Sequence, residues 1–106
     1  MSHESRLSLY LQYRQQGDIE ACLGLMSENV VLVSEKDGQF QGKKELRKYL
    51  EKNPFQGKWS QPYMSPTDNM FRVDGTVKIL FMSIKVRISV KLNSSGEIEY
   101  VYVGRA

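Results

Sequence analysis

The sequence carries one cysteine and one histidine, and each scarcity excludes chemistry. A single thiol, Cys22, cannot close an intramolecular disulfide, so the chain fits a reducing, cytoplasmic compartment. A single histidine, His3, removes His–His zinc pairs and leaves no ordered partner for a Ser–His or Cys–His couple. Any catalysis falls to Tyr, Asp, Glu or Lys. No metal and no cofactor are expected. Long apolar runs are also missing; none approaches the ~20 residues that span a bilayer, so no membrane association is expected. Met1 to Arg6 has no apolar stretch after a basic region, so no secretory signal is expected.

What is present is ordinary. The chain has 106 residues, 41% hydrophobic and 25% charged, which suits one globular domain over residues 1–106 and excludes collagen, coiled coil and disorder. Its net charge of +3 is mildly basic. Seven of the fifteen basic residues lie between Lys36 and Lys58, but Glu35, Asp37, Glu45 and Glu51 are interleaved among them. The stretch reads as a solvated helix face, so no nucleic-acid partner is expected.

Helical and strand patterns separate along the chain, which is the mark of an α+β fold. Leu7, Tyr10, Leu11 and Arg14 recur at helical spacing from His3 to Gln16, and Gly17 stops that helix. Asp18 reads as the N-cap of a second helix whose buried stripe is Ile19, Cys22, Leu23 and Met26. Cys22 therefore reads as a packing residue. Val30 to Val33 is a short strand, and Gly38 and Gly42 bracket a turn around Phe40. A third helix runs from Lys43 to Lys52, with Leu46, Tyr49 and Leu50 on one face, and Asn53-Pro54 ends it.

From Gly57 the period becomes two. Trp59 and Tyr63 fall on the first strand of this half. Phe71, Val73, Val77, Ile79 and Phe81 are apolar at odd positions, and Asp74-Gly75 marks a turn or bulge among them. After Met82-Ser83 the even positions become apolar, through Ile84, Val86, Ile88, Val90 and Leu92. A turn at Met82-Ser83 pairs Val77 with Ile88 and sets Lys78 against Arg87. A three-residue loop, Ser94 to Gly96, pairs Leu92 with Ile98, Val90 with Tyr100 and Lys91 with Glu99. Val101 and Val103 then fall on the outer sheet face. Apolar side chains there call for cover by a second copy, so a homodimer is expected. Met64, Met70 and Met82 read as core filling.

The stretch from Tyr10 to Gly42 carries more specific spacing. Gln16-Gly17-Asp18-Ile19-Glu20 closes one helix and opens the next, Ser27-Glu28-Asn29-Val30-Val31-Leu32 follows, and Gly42 precedes the third helix. Over nearly its whole length the chain resembles the nuclear-transport-factor-two-like superfamily, including ketosteroid isomerases and SnoaL-like polyketide cyclases. The resemblance implies a cystatin-like cone, with three N-terminal helices packed on a curved antiparallel sheet around an apolar pocket. The isomerases use a carboxylate base and an oxyanion site of one tyrosine plus a neutral carboxylic acid. Aligned through the glycine and strand motifs, the tyrosine falls on Tyr10, the base on Ser34 and the acid on Ile88. Neither Ser34 nor Ile88 carries a carboxyl group, so isomerase chemistry is rejected. The histidine-dependent dehydratase branch lacks its residues.

The resemblance places Tyr10 at the pocket. Tyr49, Trp59 and Ile88 are the other candidates for its walls, offering flat apolar surface and polar tips. Ser34 and Glu35 stand where the base would be, and Glu35 is the one nearby carboxylate to nominate, although a one-residue slip on a strand turns it to the opposite face. Asp37 reads as part of a solvated turn. Two functions remain: a small-molecule-binding domain with an apolar pocket, or a non-catalytic homodimerisation or protein-interaction module whose pocket is filled by its own side chains. A ligand-sized void among Tyr10, Tyr49, Trp59 and Ile88 separates them.

Overall fold

A computed structural model describes residues 3–53, 57–65, 67–68, 70–79 and 81–106. Pro54, at the expected end of the third helix, lies outside them. Helix α1 (His3–Gln16) ends where Gly17 adopts φ 74°, as the stop signal requires. Asp18 caps α2 (Ile19–Gly24), its carboxylate accepting from the Ala21 N–H. That helix is shorter than its apolar stripe predicts. Ile98 N–H takes the carbonyl of Leu25 at 2.9 Å, which pulls the chain into the sheet one residue later. Met26 is therefore the first residue of β1 (Met26–Ser34), fully buried opposite Ile98.

The segment around Phe40 is likewise a strand, β2 (Gly38–Gln41), paired antiparallel with β1. The turn lies before it, where Ser34 Oγ accepts from the N–H groups of Lys36 and Asp37. Helix α3 (Gly42–Lys52) buries Leu46, Tyr49 and Leu50 as expected. Arg47 grips Glu20 through two bonds of 2.9 and 3.0 Å, and Lys43 pairs with Glu28 at 3.4 Å. Part of the basic stretch is thus spent on ion pairs within the fold.

Two short strands, β3 (Lys58–Trp59) and β4 (Tyr63–Met64), replace the single strand expected there, and both pair with β5 (Phe71–Ile79). Strands β6 (Met82–Leu92) and β7 (Ile98–Arg105) complete a sheet ordered β2-β1-β7-β6-β5-β3. The sheet is curved and antiparallel apart from the parallel β1–β7 pair. Leu7, Tyr10 and Leu11 of α1, with Leu46 and Leu50 of α3, pack on its inner face in one core.

The β5–β6 register differs from expectation by four residues, two repeats of the alternation. Val73 pairs with Ile88 and Ile79 with Met82, and Phe81, just before β6, is fully exposed. This register sets Asp74 opposite Arg87, with a 2.7 Å ion pair, and places Lys78 beside Ser83. The expected register would have opposed Lys78 and Arg87, two like charges. β5 also runs unbroken through Asp74-Gly75, with no turn there. Met64 and Met82 are exposed and fill no core.

A larger correction concerns the last strand. Leu92 pairs with Ile98 as expected, but Lys91 then pairs with Tyr100 and Val90 with Val101. Glu99 is the extra residue of a β-bulge, and one extra residue reverses the faces beyond it. Val101 is accordingly fully buried, Val103 packs against the core, and Tyr100 and Tyr102 take the outer face. Lys91 still reaches Glu99, at 3.7 Å, but diagonally. The apolar pair that called for a second copy lies inside the protomer, and the argument for a homodimer goes with it.

Candidate functional site

Four of the six candidate side chains meet around one cavity of about 160 Å³: Tyr10, Tyr49, Trp59 and Ile88. Each arrives by a different element. Tyr10 and Arg14 stand one turn apart on α1 and so share a face. Tyr49 comes from the last turns of α3, and Asn53 caps that helix. Ile88 and Val86 of β6 and Leu32 of β1 supply an apolar floor.

Trp59 reaches the cavity because its cross-strand partner is Gly75. A Cβ on Gly75 would overlap the indole ring. The glycine that sequence assigns to a turn instead clears a seat for the one tryptophan.

Ser34 and Glu35 line an adjoining groove of about 390 Å³, which shares Tyr49, Val86 and Val103 with the inner cavity. The Tyr49 ring stands between the two. It packs 4.5 Å from Phe40, centroid to centroid, and its hydroxyl donates to Asp37 Oδ2 at 3.2 Å. Ser34 Oγ reaches the same carboxylate oxygen at 3.4 Å. Asp37, read from sequence as a solvated turn, is thus the carboxylate coupled to the cavity wall. Glu35 takes another direction. Its Oε1 accepts from Arg105 N–H at 2.9 Å, and its carboxylate lies beside Tyr102 on the outer face.

Sequence reasoning missed Arg14 as a site residue. It lies on the apolar stripe of α1, is only 8% exposed, and lines the cavity. Its Nη2 donates to the Asn53 carbonyl at 3.0 Å, while Asn53 Nδ2 donates to the Tyr49 carbonyl at 2.8 Å. The guanidinium is thereby fixed at the end of α3. An arginine at a core-facing position is itself a signal, since long charged residues are rarely fully buried without partners.

Burial pushes the Tyr10 phenol up to about 12, against the opposing pull of the Arg14 charge. Burial also raises Tyr49, and it pushes the Cys22 thiol up to about 11. At neutral pH both phenols are protonated donors and Cys22 is an inert buried thiol. A group whose folded pKa is raised contributes stability that is complete below its unfolded value and lost as pH climbs through the folded one. For Tyr10 the window runs from pH 10 to about 12. The wild type should lose about 2–3 kcal/mol across it from this residue, at ~1.4 kcal/mol per pH unit. Urea midpoints at pH 9, 10 and 11 should fall less steeply in Tyr10→Phe; identical slopes would refute this environment.

No group of His, Cys, Asp and Glu among the described residues could hold a metal ion. No described helix is long and apolar enough to cross a membrane.

No family model and no curated protein matches the sequence. Solved structures do match its fold. An NTF2-like protein of unknown function from Cytophaga hutchinsonii superposes with TM-score 0.84 at 14% identity, over 100% of this chain and 91% of that one. A cystatin-fold protein from Novosphingobium aromaticivorans gives 0.82 at 11% identity, over 99% of both chains. The epoxide hydrolase/cyclase-like enzyme SalBIII, of pyran ring formation in salinomycin, gives 0.77 at 13% identity, over 98% of this chain and 90% of that one. The chain has the NTF2-like, cystatin-like α+β fold.

Proposed function

We propose that this domain binds a small, largely apolar molecule about the size of one ring in the cavity beneath α1. The observation that carries the reading is the cavity itself: about 160 Å³ with aromatic and aliphatic walls, lined also by Arg14 and Asn53. An apolar void of ~150 Å³ accepts benzene. Tyr10, held protonated, orients a ligand oxygen; Tyr49, Trp59 and Ile88 are contact walls. Ser34 and Glu35 contact whatever extends past Tyr49 into the outer groove. The like fold of SalBIII supports the reading by analogy, since that enzyme acts in ring formation on a small molecule. The candidate base and acid positions hold Ser34 and Ile88, so the reading assigns binding and no reaction.

Trp59 is the one tryptophan, so its emission reports on this wall alone. Cyclohexanone should change that emission saturably and raise the unfolding temperature. Tyr10→Phe should weaken binding about fivefold, the loss of one hydrogen bond of ~1 kcal/mol. Emission and melting both indifferent to cyclohexanone and to other single-ring compounds would leave the filled-pocket interaction module as the better account.

A further inference from the structure

The two spaces of the candidate site share a floor. Val86 and Val103 line both the inner cavity of about 160 Å³ and the outer groove of about 390 Å³. They belong to the paired strands β6 and β7. The third shared residue, Tyr49, comes from α3 instead. Tyr49 also lines a further surface groove of about 470 Å³, beside Phe40, Lys52 and Asn53. Among the described residues, Tyr49 alone lines all three spaces.

The ring is held at its polar end. Its hydroxyl donates to Asp37 Oδ2 at 3.2 Å, and Phe40 packs against it at 4.5 Å. Ser34 fixes that carboxylate: its Oγ donates to Asp37 Oδ2 at 3.4 Å and accepts from the Asp37 N–H at 3.1 Å. Asp37 is exposed, whereas Tyr49 is buried. One hydrogen bond at the solvent boundary contributes little net free energy, so the ring is held but not locked. Space lies on both of its flanks. A side chain that blocks an otherwise continuous trough discriminates by clash, which excludes longer molecules without improving contact with short ones.

We propose that Tyr49 is a partition, latched by Asp37, that sets the length of the ligand. With the phenol on Asp37, the inner cavity takes a single ring. With the phenol displaced, cavity and groove become one trough over Val86 and Val103, open to a two-ring molecule. The inference rests on the reading that the inner cavity is a ligand site.

Two ketones separate the claims: cyclohexanone, and 4-cyclohexylcyclohexanone, which adds a second ring in line. Trp59, on the inner wall, reports the binding of each. The wild type should bind the two-ring ketone at least tenfold more weakly than cyclohexanone. Tyr49→Ala should invert that order. It removes a wall from the single-ring site, so cyclohexanone weakens, and it opens the trough, so the two-ring ketone tightens at least tenfold. A purely structural loss would weaken both. Asp37→Ala and Tyr49→Phe remove the latch and keep a ring in place, so the two-ring ketone should tighten only two- to fivefold. Asp37 is exposed, so its variant decides even if Tyr49→Ala does not fold; circular dichroism establishes the fold of each.

Equal affinity of the wild type for both ketones would overturn the partition and leave the cavity reading standing. So would a folded Tyr49→Ala protein that still excludes the two-ring ketone. Unchanged exclusion in Asp37→Ala would overturn the latch. Failure of both ketones on the wild type and on every folded variant would overturn the cavity reading as well.

Discussion

Val101→Asp should unfold the protein at 37 °C, while Tyr100→Asp should leave it folded. Val101 is fully buried among Leu32, Val90 and the core of the sheet, and Tyr100 faces outward. An unpaired carboxylate at the first site has neither water nor a partner, at a cost of at least ~3 kcal/mol. Small domains have only about 5–15 kcal/mol in hand. At the second site the charge remains in solvent, and the change should stay within about 1 kcal/mol. Urea unfolding followed by circular dichroism measures both. The opposite order of stabilities would mean that the alternation of β7 continues unbroken through Glu99 and that the bulge is absent.

Gly75→Val should expel Trp59 from the cavity wall. Any Cβ at position 75 overlaps the indole, and the ring has to move because the strand backbone cannot. Overpacking of this kind costs about 1–3 kcal/mol. The diagnostic outcome is spectroscopic: Trp59 emission should shift to the red as the ring enters water, and the response to cyclohexanone should be lost. Unchanged emission, with binding retained, would show that Trp59 does not lean on Gly75.

These two positions also show where sequence reasoning reached and where it stopped. The helices were legible because caps and period act locally: Gly17 and Asp18 do the same work in sequence and in structure. The faces of β5 and β6 were legible because alternation survives any even shift. For the same reason alternation could not choose between registers that differ by such a shift. The ion pair of Asp74 with Arg87 distinguishes them, and it is a long-range contact. The bulge at Glu99 was the costliest miss, and it did leave a trace. Ile98, Val101 and Val103 are apolar on two phases of one strand, which is what a single inserted residue produces. Reading the second phase as an interface, rather than as a phase change, led to the homodimer.

The site was partly legible. Resemblance placed Tyr10 at the pocket, and the helical face of α3 placed Tyr49. Arg14 was visible as a member of the α1 stripe, but charge alone does not say whether an arginine snorkels to water or turns inward. Asp37 required the actual turn geometry, because Ser34 bends the chain so that residue 37, and not residue 35, meets Tyr49.

The central claim is that the space beneath α1 receives a small apolar molecule. Methyl-resolved NMR of the isotopically labelled chain, titrated with cyclohexanone, tests it at the level of individual walls. The methyl signals of Leu32, Val86, Ile88 and Val103 should move together and saturate with one dissociation constant, while those of Val31 and Val33, on the outer face, should stay in place. Silent inner methyls at high ligand concentration, or shifts confined to Val31 and Val33, would contradict the account.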